Sequence, residues 1–457
     1  IWNTELSVSE IQSYMSTSLS GNETGLAAYW NFNEGTGSTL TDQTSNGNDG
    51  TIYGAAWSED APSSNEYGGG IFVDGAAPTL NHLLIENNSA ANNGGGIAIK
   101  NSALILKNSI IKDNSSESGS GVHIESTSYP TFLNVEVSGN DAVSGPAIWV
   151  SGSDPVFINT TITNNESSYE NNEKGIELYN SSNVTLINSI ISGHNNAPVY
   201  FNGSNLDYPS LITISYSLIE GGQDSIVTND NGTITWDVGN IDVDPMFVDT
   251  ANGDYHLLAS SKCINGGHPD STDSDGTVAD IGAYPYLNNY SGPTWYITED
   301  GNDTTGTGAS DSPFASIQSA VNFATTDGDS ITVAEGTYDE NDIYLRERNI
   351  KVVGAGIETT IIDGNQANYV FQIEFASDAT LAGMTIQNGA GYMGGAVTCI
   401  ESAVTLKDLK ITNNTAGAGG GGVHGYNASL DIDNVTFLGN HSGNYAGALL
   451  AGRSGAF

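Results

Sequence analysis

The sequence predicts an all-β fold, a solenoid of stacked coils. Three observations carry this: a period, a pair of turn slots and a core row. The period shows in GGGIAIKNSALILKNSIIKDN (94–114), GPAIWVSGSDPVFINTTITNN (145–165) and GAGGGGVHGYNASLDIDNVTFLGN (417–440), each with small residues, a short apolar strand, a second strand, an Asn, a third strand and another Asn. A repeat of about 26 residues with three short strands is the length of one solenoid coil.

The turn slots follow by counting. The residue between strands two and three is Asn81, Asn108, Asn134, Asn159 and Asn188, then Gly383, Asp408 and Asn434. Only types that tolerate a left-handed backbone occur there, so the slot reads as a tight turn with positive φ. Six residues on come Asn87, Asn114, Asn140, Asn165, His194, Gly389, Asn414 and Asn440. Stacked side-chain amides at such corners bond to one another and to neighbouring turns, a structural role. Tyr216 stands where an Asn is expected, so the coil near 212–222 is predicted to turn differently.

The core row lies between the slots: Leu84, Ile111, Val137, Ile162, Ile191, Ile386, Ile411 and Phe437, apolar throughout and predicted to face inward. Their predecessors Leu83, Ile110, Glu136, Thr161, Ile190, Thr385, Lys410 and Thr436 read as an outer face. Several are apolar, so the alternation is imperfect.

Composition narrows the function. In 457 residues, 11 Lys and Arg stand against 53 Asp and Glu, a net charge of −42. With no basic patch to neutralise phosphates, nucleic-acid binding is excluded, and anionic membranes are disfavoured. Such acidity suits solubility in salt and capture of divalent cations. No apolar run is long enough to span a membrane. Cys263 and Cys399 are far apart and support neither a disulfide nor a metal framework; Cys399 falls on an inward strand position. Position 1 is Ile and the chain stops within a repeat, so an internal piece of a longer secreted protein, extracellular or on the cell surface, is expected.

Three segments follow. Residues 1–60 lack the rhythm. Ile1-Trp2-Asn3, Leu6-Ser7, Glu10-Ile11, Tyr29-Trp30-Asn31-Phe32, Glu34-Gly35 and Asn46-Gly47 through Gly50 resemble the LamG-like (concanavalin A-like) jelly-roll family. The resemblance covers only part of such a domain and implies carbohydrate or protein binding; Trp30 and Phe32 read as core. Residues 61–290 form a first solenoid. Its stretch 240–286 resembles the closing segment of right-handed parallel β-helix domains in secreted bacterial proteins, and a cap on the open end of the stack is expected. Residues 291–457 start again, and WYITEDGNDTTGTGASDSPFASIQSAVNFATTDGDSITVAEGTYDE resembles the opening of the pectin-lyase-like fold. Ser312 and Pro313 predict a helix start, with Phe314, Ile317, Val321 and Ala324 as one apolar stripe plugging the first coil. GGAV (394–397) and FLGN (437–440) also resemble repeats of polymorphic outer-membrane and autotransporter passenger proteins. The expected architecture is two tandem right-handed parallel β-helices, three strands per coil, preceded by a jelly-roll fragment.

The first strand of each coil offers the best surface for chemistry. Between inward pairs such as Ile97/Ile99 and Ile148/Val150, the residues pointing outward are Phe72, Ala98, His123, Trp149, Glu177 and, by looser alignment, Tyr200. Coils about 4.8 Å apart put them in one column. Phe72, His123, Trp149 and Tyr200, with Glu177, suit sugar rings lying on aromatic faces. Catalysis by a polysaccharide lyase or glycoside hydrolase needs a cationic base or paired carboxylates on that face. None of Lys100, Lys107, Lys112, Lys174 or Lys262 falls in the column, and His123 and Glu177 are two coils apart, roughly 9–10 Å. Arg346 and Arg348 read as a solvated strand edge. Asp270, Asp273, Asp275 and Asp280 around Gly276 offer hard oxygens for calcium, although Ser271 and Gly282 break an EF-hand pattern; DGND (300–303) is a weaker candidate. The expectation is a non-catalytic surface protein for adhesion or for binding a polysaccharide or cell-surface glycan. A lyase or hydrolase, and a plain stalk, are the alternatives.

Overall fold

The structure is a computed structural model describing residues 1–7, 14, 19–31, 34, 36–52, 67–169 and 172–452. The chain divides into two compact units, Ile1–Asn65 and Glu66–Phe457. In the first, Thr39–Leu40 pairs antiparallel with Gly50–Thr51, and Trp2 bridges Leu26. The Asp42 carboxylate accepts from the main-chain N–H groups of Tyr29, Thr44 and Asn48. Desolvation opposes its charge, but these donors prevail and hold it well below the usual carboxylate range. Trp30 is half-buried and donates Nε1–H to the Asn48 carbonyl at 3.0 Å. Glu10, Ile11, Phe32 and Gly35 of the jelly-roll resemblance lie outside the described residues.

The second unit is a parallel β-solenoid. Its first-strand sheet has six strands, Ile71–Asp74, Ile97–Lys100, Val122–Glu125, Ile148–Ser151, Lys174–Tyr179 and Ala197–Phe201. A ten-stranded sheet contains the longer strands, among them Ile105–Lys112, Thr131–Ser138 and Val156–Thr163, and a third sheet pairs Ser115–Ser116, Asp141–Ala142 and Glu166–Ser167. Parallel sheets resume at Thr294–Ile297 and run to Leu449–Gly452. In several coils strands two and three are one bent strand: Thr131–Ser138 passes through Asn134, φ 54°, without a break. Inside, Ile97, Ile99, Leu104, Leu106 and Ile111 are fully buried, each contributing about 1.5–3 kcal/mol.

Two files of amides fasten the corners. Outside, Asn108, Asn134 and Asn159 each donate Nδ2–H to Oδ1 of the Asn one coil earlier, beginning at Asn81, at 2.8–3.1 Å. Inside run Asn88, Asn114, Asn140 and Asn165. The main-chain N–H and Nδ2 of each of the first three both donate to Oδ1 of the next, at 2.9–3.1 Å. The same Nδ2 groups also reach main-chain carbonyls, as Asn140 does at Ile111 and Ser138. Beyond Asn165 the slot holds His194, whose Nε2 lies 3.5 Å from Asn165 Nδ2 and whose pKa burial pushes down to about 4.

The first coil corrects the count by one residue. His82, not Asn81, takes positive φ (55°), and Asn88, not Asn87, joins the inner file. The strand therefore turns over: Ile85 is buried and Leu84 is 55% exposed, opposite to expectation. Tyr216 also departs from expectation. It adopts the Asn conformation, φ 48°, so its coil turns like the others, and its ring packs edge-on against His268, centroids 4.8 Å apart.

The stretch 240–290 lies along the flank of the stack, where an end cap was expected. His268 N–H donates to Asn188 Oδ1, Ala283 N–H to Thr161 Oγ1, and the Tyr284 hydroxyl to Glu136 Oε2. It therefore covers the outer row over successive coils, and Glu136, Thr161 and Ile190 are buried. This explains the imperfect alternation: the outer face there is an interior. On its other side the Ala259 and Ser261 carbonyls accept from Asn322 Nδ2, both at 2.8 Å.

Asn322 sits on the helix Ile317–Phe323, which starts a turn later than Ser312 and Pro313 predicted. Ser316 is the N-cap, with Oγ accepting from Ser319 N–H. Phe314 instead bridges Ile297 in strand fashion, which delays the helix. All seven helical residues are buried. Glu340 accepts from the N–H groups of Ile317 and Gln318 at 2.8 and 2.7 Å. Cys263 and Cys399 are free and buried.

Asn140→Ala deprives the Asn114 donors and two carbonyls of partners. It should lower urea-unfolding stability by about 3 kcal/mol or more, whereas Asn134→Gly on the outer file should cost less than about 1 kcal/mol. A pH dependence follows from two desolvated carboxyls. Desolvation outweighs the N–H donors of Gln318 and Ile317 and raises Glu340 to about 7; desolvation, with Asp273 and Asp275 nearby, raises Asp280 to about 8. A raised carboxyl pKa means the native state holds a proton the unfolded chain releases, so its contribution is full below the unfolded pKa and disappears as pH rises through the folded one. His194, lowered from 6.5, acts in the opposite sense only below about pH 6.5. Thermal stability should therefore fall from about pH 6.5 to 8, and Glu340→Gln should fall less steeply over that range, whatever its stability at the lower end.

Candidate functional site

Strand register sets the outer face of the first-strand sheet. Pairings run Phe72 to Ala98, Ala98 to His123, His123 to Trp149, Trp149 to Glu177 and Glu177 to Tyr200. All five candidate residues thus share one column, Tyr200 included. A second outward column, two residues further along each strand, holds Asp74, Lys100, Glu125, Ser151 and Tyr179.

The rings form a nearly continuous strip. Ala98 leaves a gap, and Tyr67 covers it from the side, 5.7 Å from Phe72 and 6.3 Å from His123 between centroids. His123 stacks on Trp149 at 5.9 Å, and Trp149 on Tyr179 at 3.8 Å. Such offset stacks add to the area they bury. Phe72 is 48% exposed, Trp149 and Tyr200 are half-buried, and His123 and Glu177 are buried. His123 Nε2 faces Glu125 at 3.5 Å, and Glu125 binds Lys100 at 3.0 Å. The His123 contact first, with Lys100 adding to it against desolvation, brings the Glu125 pKa down to about 2.

At the far end the strip opens into a recess of about 390 Å³. Trp149, Glu177, Tyr179 and Tyr200 form its floor, and Asn92, Glu117 and Ser144 belong to its walls. Lys174 Nζ lies 3.1 Å from Glu177 Oε2 and 4.2 Å from the Tyr200 ring centroid. The Tyr179 hydroxyl donates to Glu177 Oε1 at 2.8 Å, and Asn202 Nδ2–H reaches the same oxygen at 3.0 Å. Burial and the Glu177 charge raise the Tyr179 pKa far above its ordinary value, so it remains a donor. Counting had left Lys174 off this face. At the strand's first position it sits on the corner, and its long side chain reaches back to Glu177. Its spacing of three from Glu177 in KGIELY was the available signal. Tyr179 lies in the second column and Asn202 beyond the next strand, so neither falls in the alternating column.

The acidic loop behaves differently. Asp273 accepts from Asp280 N–H, Asp275 from Thr277 and Asn288 N–H, and Asp280 from Asn265 and Tyr286 N–H. These carboxylates staple their own loop, and Asp270 is exposed. Among the described residues no group of three or more His, Cys, Asp or Glu is arranged to hold a metal ion.

In the later stack the equivalent column is Tyr344, Gln372, Thr398, His424 and Leu450. Arg346 there is exposed, as a strand edge predicts, while burial lowers the Arg348 pKa.

Among known proteins, the family described as right handed beta helix region matches residues 51–208 and 118–238, less than half of the chain. A metabotropic glutamate receptor-like protein P of Dictyostelium discoideum is 31% identical over 112 residues, which span 22% of this chain and 8% of that protein. A solved mutant of the PL6 family alginate lyase AlyGC aligns over 81% of this chain and 78% of its own at 8% identity, with a TM-score of 0.21, a superposition too poor to carry an argument. The matched region and the parallel strand register agree on a right-handed parallel β-solenoid.

Proposed function

We propose that the protein binds carbohydrate without transforming it, along the outer face of the first-strand sheet. The observation that carries this is the aromatic strip from Phe72 through Tyr67, His123, Trp149 and Tyr179 into a recess with polar walls. Sugar rings present apolar faces to stack and hydroxyls to bond, and a stacked floor beside Asn, Ser and Glu walls offers both. A polysaccharide or cell-surface glycan is the partner in this reading, and the protein works outside the cell. The acidic surface favours a neutral glycan over a polyanionic one. In the same reading 61–290 and 291–457 are two tandem solenoids after a jelly-roll fragment. Supporting this, among the described residues strands up to Trp236 and strands from Thr294 on pair only within their own group.

One observation favours the alternative of a glycoside hydrolase or lyase. Glu117 on the wall and Glu177 on the floor line the same recess, and two carboxylates are what a hydrolase needs. A glycan array followed by calorimetry on the best ligand, with a product assay alongside, separates the readings. Binding is expected with neither new reducing ends nor unsaturated products. Trp149→Ala should weaken it about 10- to 100-fold, as loss of a central aromatic anchor does. Turnover abolished by Glu177→Gln would establish the alternative, and silence in both assays would overturn both readings.

A further inference from the structure

Lys174, Glu177 and Asn202 meet in one place for which sugar binding has no need. Glu177 is 3% exposed, and its two oxygens hold two nitrogens from consecutive coils. Oε2 faces Lys174 Nζ at 3.1 Å, and Oε1 accepts from Asn202 Nδ2 at 3.0 Å. The Asn202 carboxamide is engaged at both ends. Its Oδ1 accepts from Ser204 N–H at 2.9 Å, and its Nδ2 also reaches the Tyr179 hydroxyl at 2.7 Å. The Lys174 side chain is 10% exposed, under the Tyr200 ring.

We propose that this cluster makes its own covalent bond, an amide between Lys174 Nζ and Asn202 Cγ, with ammonia released. The Glu177 carboxylate takes a proton from the Lys174 ammonium. The free amine attacks Asn202 Cγ, forming the new C–N bond and placing negative charge on Oδ1. The Ser204 N–H already points at that oxygen and stabilises the tetrahedral intermediate. Collapse breaks the Cγ–Nδ2 bond as Glu177 protonates the departing nitrogen. The attacking nitrogen gives its excess proton back to the carboxylate, from which it passes to the ammonia. A primary ammonium and a primary carboxamide become a secondary amide and an ammonium ion, Glu177 is regenerated, and no oxidant or further reactant is needed. One carboxylate touching both the attacking and the leaving nitrogen is the geometry a proton shuttle requires, and attack within one folded chain avoids the entropy that makes such an exchange slow in solution. The product ties one coil to the next across the outer face of the first-strand sheet.

Intact-mass spectrometry of the purified chain tests this directly. The expected mass is about 17 Da below that of the sequence, the loss of one ammonia. A tryptic digest should contain a branched peptide joining the segments around Lys174 and Asn202, with no cleavage after Lys174. Lys174→Arg keeps the charge beside Glu177 but cannot form this amide, so its mass should equal its sequence mass. Glu177→Gln should leave the lysine and asparagine unjoined. An unmodified wild-type mass overturns the proposal. A deficit that persists in Lys174→Arg also overturns it, since succinimide formation at an Asn-Gly pair loses the same mass. None of these readouts involves a glycan, so the bond and the binding reading stand or fall separately.

Discussion

The buried file of asparagines is the interaction on which the stack depends. A carboxamide carries an acceptor and two donors in one plane, so an Asn at a corner accepts from the coil on one side while donating to its own coil and the coil on the other. Asn140 does this: its Oδ1 receives both donors of Asn114, and its Nδ2 reaches Asn165 and the carbonyls of Ile111 and Ser138. Corner backbone cannot join a sheet ladder, and a buried, unpaired peptide group is costly. The amides satisfy those groups and in doing so impose one register on the coils they join. Register in turn fixes which side chains face the core and which face the solvent.

Much of the fold was legible because register is periodic. The Asn slots, the inward rows Ile97/Ile99 and Ile148/Val150 and the buried Cys399 stand where counting put them. Counting failed at the first coil, where Asn81 stands one residue before the corner: the strands pair with the next coil at a constant offset of 26, which sets His82 opposite Asn108. It also failed where long-range packing overrode local preference. Tyr216 accepts a left-handed backbone with its ring against His268, and Phe314 is used as a strand residue although Ser312-Pro313 reads as a helix start. The flank position of 240–290 has no local signal except the apolar residues of the outer row, which are the trace of a surface that is not outside.

The site was legible in its column and illegible at its edges. Phe72, His123, Trp149, Glu177 and Tyr200 follow from alternation alone. Lys174 enters from a corner, Asn202 from beyond the following strand, and Tyr67 from before the first coil. Corner lengths vary from coil to coil, so no fixed offset predicts where a corner side chain points. Trp149 stacks on Tyr179 of the second column, and Lys174 lies over the face of Tyr200, contacts between columns that alternation along one strand does not contain.

The ribbon along the flank has a mechanical consequence. Coils in a solenoid touch only their neighbours, so a tensile load normally peels them one at a time. Here Tyr284, Ala283 and His268 are moored to Glu136, Thr161 and Asn188, in three different coils, by a single strip. Extending the chain across that region requires shearing those moorings together before any one coil unwinds. The strip works like a batten across planks, spreading a pull at one place over a length of the wall.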